Sequence, residues 1–213
     1  MTALTADRAL DADRPPLIVG IGGTTRPGSS TELAVAGALA AARAQGADTL
    51  LLGAAELDLP LYAPHVPERT QRARALVDAV RRADGLVLGS PGYHGGISGL
   101  VKNALDYVED LRDDARPYLD GRAVGCVVCA FGWQATATTL VGLRSIVHAL
   151  RGWPTPLGVC LNSRELAFAD DALPTGRGER AQLRLLGEQV TSFAFAHHQA
   201  AGTAPAPLTQ GQP

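Results

Sequence analysis

Short uninterrupted apolar runs alternate along this chain with longer stretches in which apolar positions recur every three or four residues. The runs fall at residues 17–21, 49–52, 86–88, 123–130 and 157–161. A run that is apolar at every position suits a strand buried on both faces, as in a parallel sheet; an antiparallel sheet with one wet face would alternate. The intervening periodicity predicts helices over residues 30–45, 67–82, 99–109, 135–150 and 178–196. Their ends carry matching punctuation, with Ser29 or Ser30 as a first N-cap, Gly46 just past that helix, and Gly152 before Pro154 after the fourth. Repeated strand–helix units of this kind wind into a three-layer α/β sandwich around a five-stranded parallel sheet.

The two ends break the pattern. Residues 1–16 mix Asp, Arg and Ala ahead of Pro15-Pro16, and the tail from residue 197 is rich in Pro, Gly and small residues. Both read as flexible segments, which leaves residues 17–196 as one folded domain. A chain of 213 residues, 46% of them hydrophobic, suffices for one core of that size. Charged residues are 19% and the formal net charge is −2, so the basic footprint of a nucleic-acid partner is missing. No apolar run reaches the ~18 residues that span a bilayer, and residues 1–16 lack a secretory signal's pattern, so a cytoplasmic protein with no membrane partner is expected.

The three cysteines, Cys126, Cys129 and Cys160, are too few for a disulfide framework and agree with a reducing compartment. Cys126-Val-Val-Cys129 spells CxxC, but strand residues three apart face opposite sides, so buried packing is the expected role. Neither Asp7, Asp11 and Asp13 nor His197-His198 forms a plausible ligand set, and no metal is expected.

Chemistry concentrates after the first and third strands. The first strand runs into Gly22-Gly23-Thr24-Thr25-Arg26-Pro27-Gly28-Ser29-Ser30-Thr31 and then a helix. Glycines allow a tight turn, Thr24, Ser29, Ser30 and Thr31 offer hydroxyls, Arg26 adds a full charge, and the helix N-terminus aims free N–H groups into the same space. A phosphate monoester would use all of these donors at once; an ordinary polar turn with a capping serine is the plainer alternative. The spacing is neither GxxxxGK[ST] nor GxGxxG, which disfavours a P-loop or a dinucleotide-type site. The third strand ends in Ser90-Pro91-Gly92-Tyr93-His94-Gly95-Gly96, a loop of exposed backbone able to lie against a flat heteroaromatic ring. In an open sheet of order 2-1-3-4-5, the flavodoxin-like arrangement expected here, the order reverses between strands one and three and the two loops share one crevice. Lys102, Asn103 and Asp106 read as residues that tie down the following helix, and His94, a lone loop histidine, as an unlikely acid or base.

Together, GGTTRPGSST, SPGYHGGISGLVKNALD and Leu59-Pro60-Leu61-Tyr62 resemble the NADPH-dependent FMN reductase family of flavodoxin-like proteins over residues 17–160. The resemblance implies that Thr24, Arg26, Ser29, Ser30 and Thr31 hold the FMN phosphate. It implies that Pro91, Gly92, Tyr93, His94 and Gly95 contact the isoalloxazine, with Gly132 in a third loop. The chain departs from the commoner family pattern at Thr24 (often Ser), Thr31 (often Asn) and Gly92 (often Glu). After the fourth strand, Phe131 and Trp133 either narrow the site over the ring, pack against a partner subunit, or belong to the core.

The implied reaction is hydride transfer from NADPH or NADH to FMN, and from there to a small-molecule acceptor or a flavin-dependent monooxygenase. The rings carry the chemistry, so no catalytic acid or base is expected. The alternatives are a flavodoxin-like electron carrier or FMN-binding partner protein with no NAD(P)H oxidation of its own, and a scaffold with an unused pocket. The near-neutral charge and the absence of a Thr-x-Thr-Gly-x-Thr loop argue against the carrier. The resemblance also implies a homodimer or homotetramer, using residues 100–119.

Overall fold

The computed structural model describes residues 14–169 and 173–203. In chain order the elements are β1 (Leu17–Gly22), α1 (Ser30–Ala44), β2 (Asp48–Leu52), α2 (Gln71–Arg82), β3 (Gly85–Tyr93), β4 (Gly96–Ile97) and α3 (Gly99–Asp106). A 3-10 turn (Tyr107–Leu111), β5 (Ala123–Ala130), α4 (Trp133–Ala149), β6 (Trp153–Asn162) and α5 (Arg177–Thr203) follow. The five long strands are parallel and lie in the order β2-β1-β3-β5-β6, the expected 2-1-3-4-5 arrangement, and β4 is a short antiparallel return on β3. Helices cover both faces. On one, Leu76 and Val80 of α2, Val101 and Leu105 of α3 and Leu143 and Val147 of α4 pack on Val19, Leu86 and Val124. On the other, Val35 and Leu39 of α1 and Leu186 and Val190 of α5 pack on Ile18, Val87 and Val127.

Cys126 belongs to the first of these cores and Cys129 to the second, so the CxxC pair is split between faces. Burial pushes both thiols up to about 12.

Several boundaries differ from expectation, each for a local reason. Helix α2 starts at Gln71 rather than 67, because Thr70 is its N-cap and accepts from the Ala73 N–H at 3.2 Å. Strand β6 begins at Trp153, four residues before the expected start, although it contains Pro154 and Pro156. It lies at the sheet edge, where a missing N–H is tolerated. The prolines show instead as a register shift, since Val124 pairs with Pro154 but Cys126 with Gly158.

Helix α5 continues past residue 197, where the tail was expected to loosen, as far as Thr203. There His197 stacks on Phe193, with centroids 6.0 Å apart, and His198 Nε2 lies 2.9 Å from Asp84 Oδ1. Asp84 is buried, and it also accepts from Arg14 Nη1 and the Leu17 N–H, each at 2.8 Å. One carboxylate thus ties the start of β1 to the far end of α5. Burial pushes this carboxyl up, but the hydrogen bonds from His198, Leu17 and Arg14 outweigh it and hold it below the usual aspartate value. The rest of the expected leader and tail, residues 1–13 and 204–213, lies outside the described residues.

Candidate functional site

Strands β1 and β3 are neighbours, and Gly22 pairs in register with Gly89. A Cβ on Gly22 would lie 2.5 Å from the Gly89 carbonyl oxygen, and one on Gly89 would lie 2.3 Å from Val35 Cγ2. Glycine at both positions lets the two strand tips and α1 close together. The loop after β1 and the turn after β3 therefore emerge side by side at the carboxyl edge of the sheet, where the strand order reverses.

In the first loop Ser29 is the N-cap of α1, and its buried hydroxyl accepts from the Glu32 N–H at 3.3 Å. Thr24 Oγ1 accepts from the Arg26 N–H at 3.1 Å, a local turn that sets the path of the loop tip. Residues Thr25, Arg26, Pro27 and Gly28 are exposed, and Arg26 forms no salt bridge among the described residues. Its guanidinium is therefore available to an anion. Thr31 departs from expectation. It is buried, and its methyl faces Gly89, 3.1 Å from where a Cβ on that glycine would lie. The structure turns that side chain into the core because it sits in the first turn of α1 on the helix's sheet-facing side. Thr24, Ser29 and Ser30 remain at the loop.

The second segment is a hairpin more than a loop. Strand β3 runs on through Pro91, Gly92 and Tyr93, and β4 returns so that Gly92 pairs with Ile97 and Tyr93 with Gly96. The two residues between, His94 and Gly95, have φ of 53° and 79°. Two consecutive positive values define the tight turn that best matches strand twist. His94 is exposed at its tip, and its position is explained by turn geometry. Ser90 Oγ accepts from the Ser98 N–H at 3.0 Å, and Ser98 caps α3 by accepting from the Val101 N–H at 3.2 Å. Lys102 pairs with Asp106 along α3, as expected of a helix-stabilising pair.

Gly92 stands where the family pattern led to an expectation of Glu. A Cβ here would lie 2.9 Å from Ala130 Cβ and 3.0 Å from Thr139 Oγ1. The close approach of β3, β5 and α4 leaves no room for a side chain here, so only the Gly92 backbone is free to face a ligand. The third loop is shorter than expected, because α4 already begins at Trp133. A Cβ on Gly132 would meet nothing within 4 Å. Phe131 and Trp133 are 74% and 56% exposed, so neither is a core residue.

Two supports escaped the sequence reading. Leu61, 85% exposed, is presented by a loop whose backbone is held from α3, with Asn103 Oδ1 accepting from the Tyr62 N–H and Asn103 Nδ2 donating to the Pro60 carbonyl, both at 2.8 Å. Arg69 locks the same loop by a two-pronged pair to Asp110 at 2.7 and 2.9 Å and by packing 5.0 Å from the Tyr62 ring centroid. Glu32 is the second: its carboxylate accepts N–H bonds from two separate loops. The Ser29-x-x-Glu32 spacing is a capping-box signal that would have singled it out. Beyond Trp133, on the β6 side, a cavity of about 300 Å³ is bounded by Cys160, Asn162, Glu165, Glu179 and Gln182.

The donor set fits FMN. A capped helix N-terminus, loop hydroxyls and an available guanidinium suit a dianionic phosphate, while the neighbouring glycine-rich hairpin, Tyr93 and the exposed rings of Phe131 and Trp133 suit a planar head. Fold and crevice together define a flavodoxin-like flavoprotein. Residues 16–164 match the family described as NADPH-dependent FMN reductase. The FMN-dependent NADPH-azoreductase of Staphylococcus haemolyticus (strain JCSC1435) is 31% identical over 140 residues, covering 65% of this chain and 71% of the relative; that of Staphylococcus aureus (strain USA300) matches to the same extent. Among solved structures, the flavoenzyme NAD(P)H:(acceptor) oxidoreductase FerB of Paracoccus denitrificans superimposes with a TM-score of 0.69 at 17% identity, over 85% of this chain and 98% of that one. A flavodoxin, WrbA-like protein of Agrobacterium tumefaciens gives 0.58 at 16% identity, over 84% and 98%. The chain belongs to the NADPH-dependent FMN reductase family and is an NAD(P)H-dependent oxidoreductase with FMN as cofactor and NADPH as donor.

Proposed function

We propose that the β1–α1 loop grips the FMN phosphate, that the β3–β4 hairpin and the Phe131-Gly132 turn flank the ring, and that the acceptor is a small planar aromatic molecule such as an azo compound or a quinone. The observation that carries the reading is the convergence of these segments at adjacent strand tips, set by the Gly22–Gly89 register. Bound FMN supplies a two-electron acceptor for the nicotinamide hydride and a donor to the second substrate. The protein's own part is placement. Arg26, Thr24, Ser29 and Ser30 neutralise and orient the phosphate, while Pro91, Gly92, Tyr93, His94 and Gly95 present a rigid backbone beside the ring. Tyr93, Phe131, Trp133 and Leu61 form an apolar rim that excludes water and offers stacking surface to an aromatic acceptor. Two of the relatives are FMN-dependent NADPH-azoreductases, which supports the choice of acceptor. No helix among the described residues is long and apolar enough to cross a membrane, in keeping with a cytoplasmic enzyme acting on diffusible substrates. The homodimer or homotetramer belongs to the same proposal, with residues 100–119 as its contact segment.

The test is NADPH consumption with FMN present, with and without an azo dye or a quinone, in the wild type and in Arg26→Ala. Dye-dependent consumption is expected, and the variant should need at least about tenfold more FMN to reach it, a loss typical of a charge-assisted phosphate contact. NADPH oxidation that yields only free reduced FMN, with no effect of either acceptor, would favour supply to a separate monooxygenase. Unchanged FMN dependence in Arg26→Ala would refute the phosphate assignment.

A further inference from the structure

We propose that Glu32 is a positioning residue that bolts the phosphate loop to the loop after β2, holding the Gly28 amide and its neighbours in the arrangement a phosphate monoester requires. The inference rests on the reading of the β1–α1 loop as the FMN phosphate site. In an ordinary capping box the third-position glutamate turns back to the N–H of its own N-cap. Here it reaches further. Glu32 Oε1 accepts from the Gly28 N–H at 3.2 Å, and Oε2 accepts from the Ala54 N–H at 3.1 Å, across 22 positions of sequence.

Two glycines make room for this clamp. A Cβ on Gly53 would lie 2.8 Å from Glu32 Oε2, and one on Gly23 would lie 3.2 Å from the same atom. The half-buried carboxylate therefore lies between the two loops. Gly28 has a left-handed φ of 66° and nothing within 4 Å of its Cβ position, so contacts at its α-carbon do not fix its peptide; the bond to Glu32 does. The loop after β2 is anchored in turn, since the Gly53 N–H donates to Glu56 at 3.0 Å and Asn103 holds Pro60 and Tyr62. A carboxylate beside an anion site would on its own weaken binding. Here its charge is shared with two backbone donors, which tips the balance toward ordering of the loop.

The experiment titrates wild type, Glu32→Gln and Glu32→Ala with FMN and with riboflavin, which has the ring and ribityl chain but no phosphate. Thermal midpoints of all three proteins are recorded alongside. Wild type should prefer FMN; Glu32→Ala should lose at least about tenfold in FMN affinity with less than about threefold change for riboflavin, as expected when two charge-assisted hydrogen bonds to a loop are removed. Glu32→Gln has one acceptor oxygen for two N–H groups and should fall between. A loss of fold alone would weaken both flavins equally. An unchanged FMN-to-riboflavin ratio in both variants overturns the proposal, and so does tighter FMN binding, which would mean that charge repulsion outweighs positioning. Wild type that binds the two flavins equally would overturn the phosphate-site reading itself. Should Glu32→Ala fail to fold, Glu32→Gln decides.

Discussion

Replacing Gly92 by alanine tests the packing at the base of the ring hairpin most directly. The added Cβ would stand 2.9 Å from Ala130 Cβ, 3.0 Å from Thr139 Oγ1 and 3.2 Å from the Ala135 carbonyl oxygen. Saturated carbons rest about 3.5–4.0 Å apart, so β3 and β5 must yield by about 0.6 Å or more. All three neighbours are in regular structure, and two of the contacts are to a β-carbon and a backbone oxygen that have no rotamer to change. An overpacked methyl of this kind costs about 1–3 kcal/mol, while the stiffer unfolded chain returns about 0.4–1 kcal/mol. The net expectation is a destabilisation of about 1–2 kcal/mol, or a fall in the thermal midpoint of about 2–8 °C for a domain of this size. Thermal unfolding followed by circular dichroism, without flavin, measures it. Ala130→Gly in the same chain removes the nearest contact and should recover about half of the loss, a coupling expected only between touching residues. A Gly92→Ala midpoint at or above wild type, or strict additivity in the double variant, would refute the packing argument. Gly92→Glu should be worse than alanine and should not tighten FMN binding, because the larger side chain meets the same three neighbours.

Two further outcomes follow from the same geometry. Gly95→Val places a β-branched residue at a φ of 79° and should cost about 1–3 kcal/mol in unfolding free energy, whereas His94→Gly should be close to neutral; equal effects would contradict the two-residue turn. Asp84 has a folded carboxyl held below its unfolded value, so its contribution is present above the ordinary aspartate range and is lost as pH falls through the folded value. Asp84→Asn should therefore lower stability by about 3 kcal/mol at pH 7 and flatten its dependence on pH in the acid range, as urea midpoints between pH 7 and pH 3 would register; a variant that acid-unfolds in parallel with wild type would rule this out.

Much of the molecule was already written in the order of its residues. Strands apolar at every position can only be buried between two layers, so the five runs and the periodic stretches between them set the parallel sandwich, while its strand order is fixed by which strands pair in space. Glycines, hydroxyls and Arg26 ahead of a helix likewise announced an anion loop, because those groups act over a few adjacent positions. Tertiary contacts decided the rest. That Thr31 turns inward toward Gly89, that Gly92 has no room for a side chain, and that Phe131 and Trp133 face solvent depend on which neighbours lie within 4 Å across strands far apart in the chain. Pro154 and Pro156 look like an end to strand structure until β6 is seen at the sheet edge, where no partner needs their missing N–H. Glu32 is the sharpest case. Local spacing marks it as a cap, but only the fold brings Ala54 within reach of its second oxygen, since a hydrogen bond is set by distance in space and sequence spacing reports distance only along a single element.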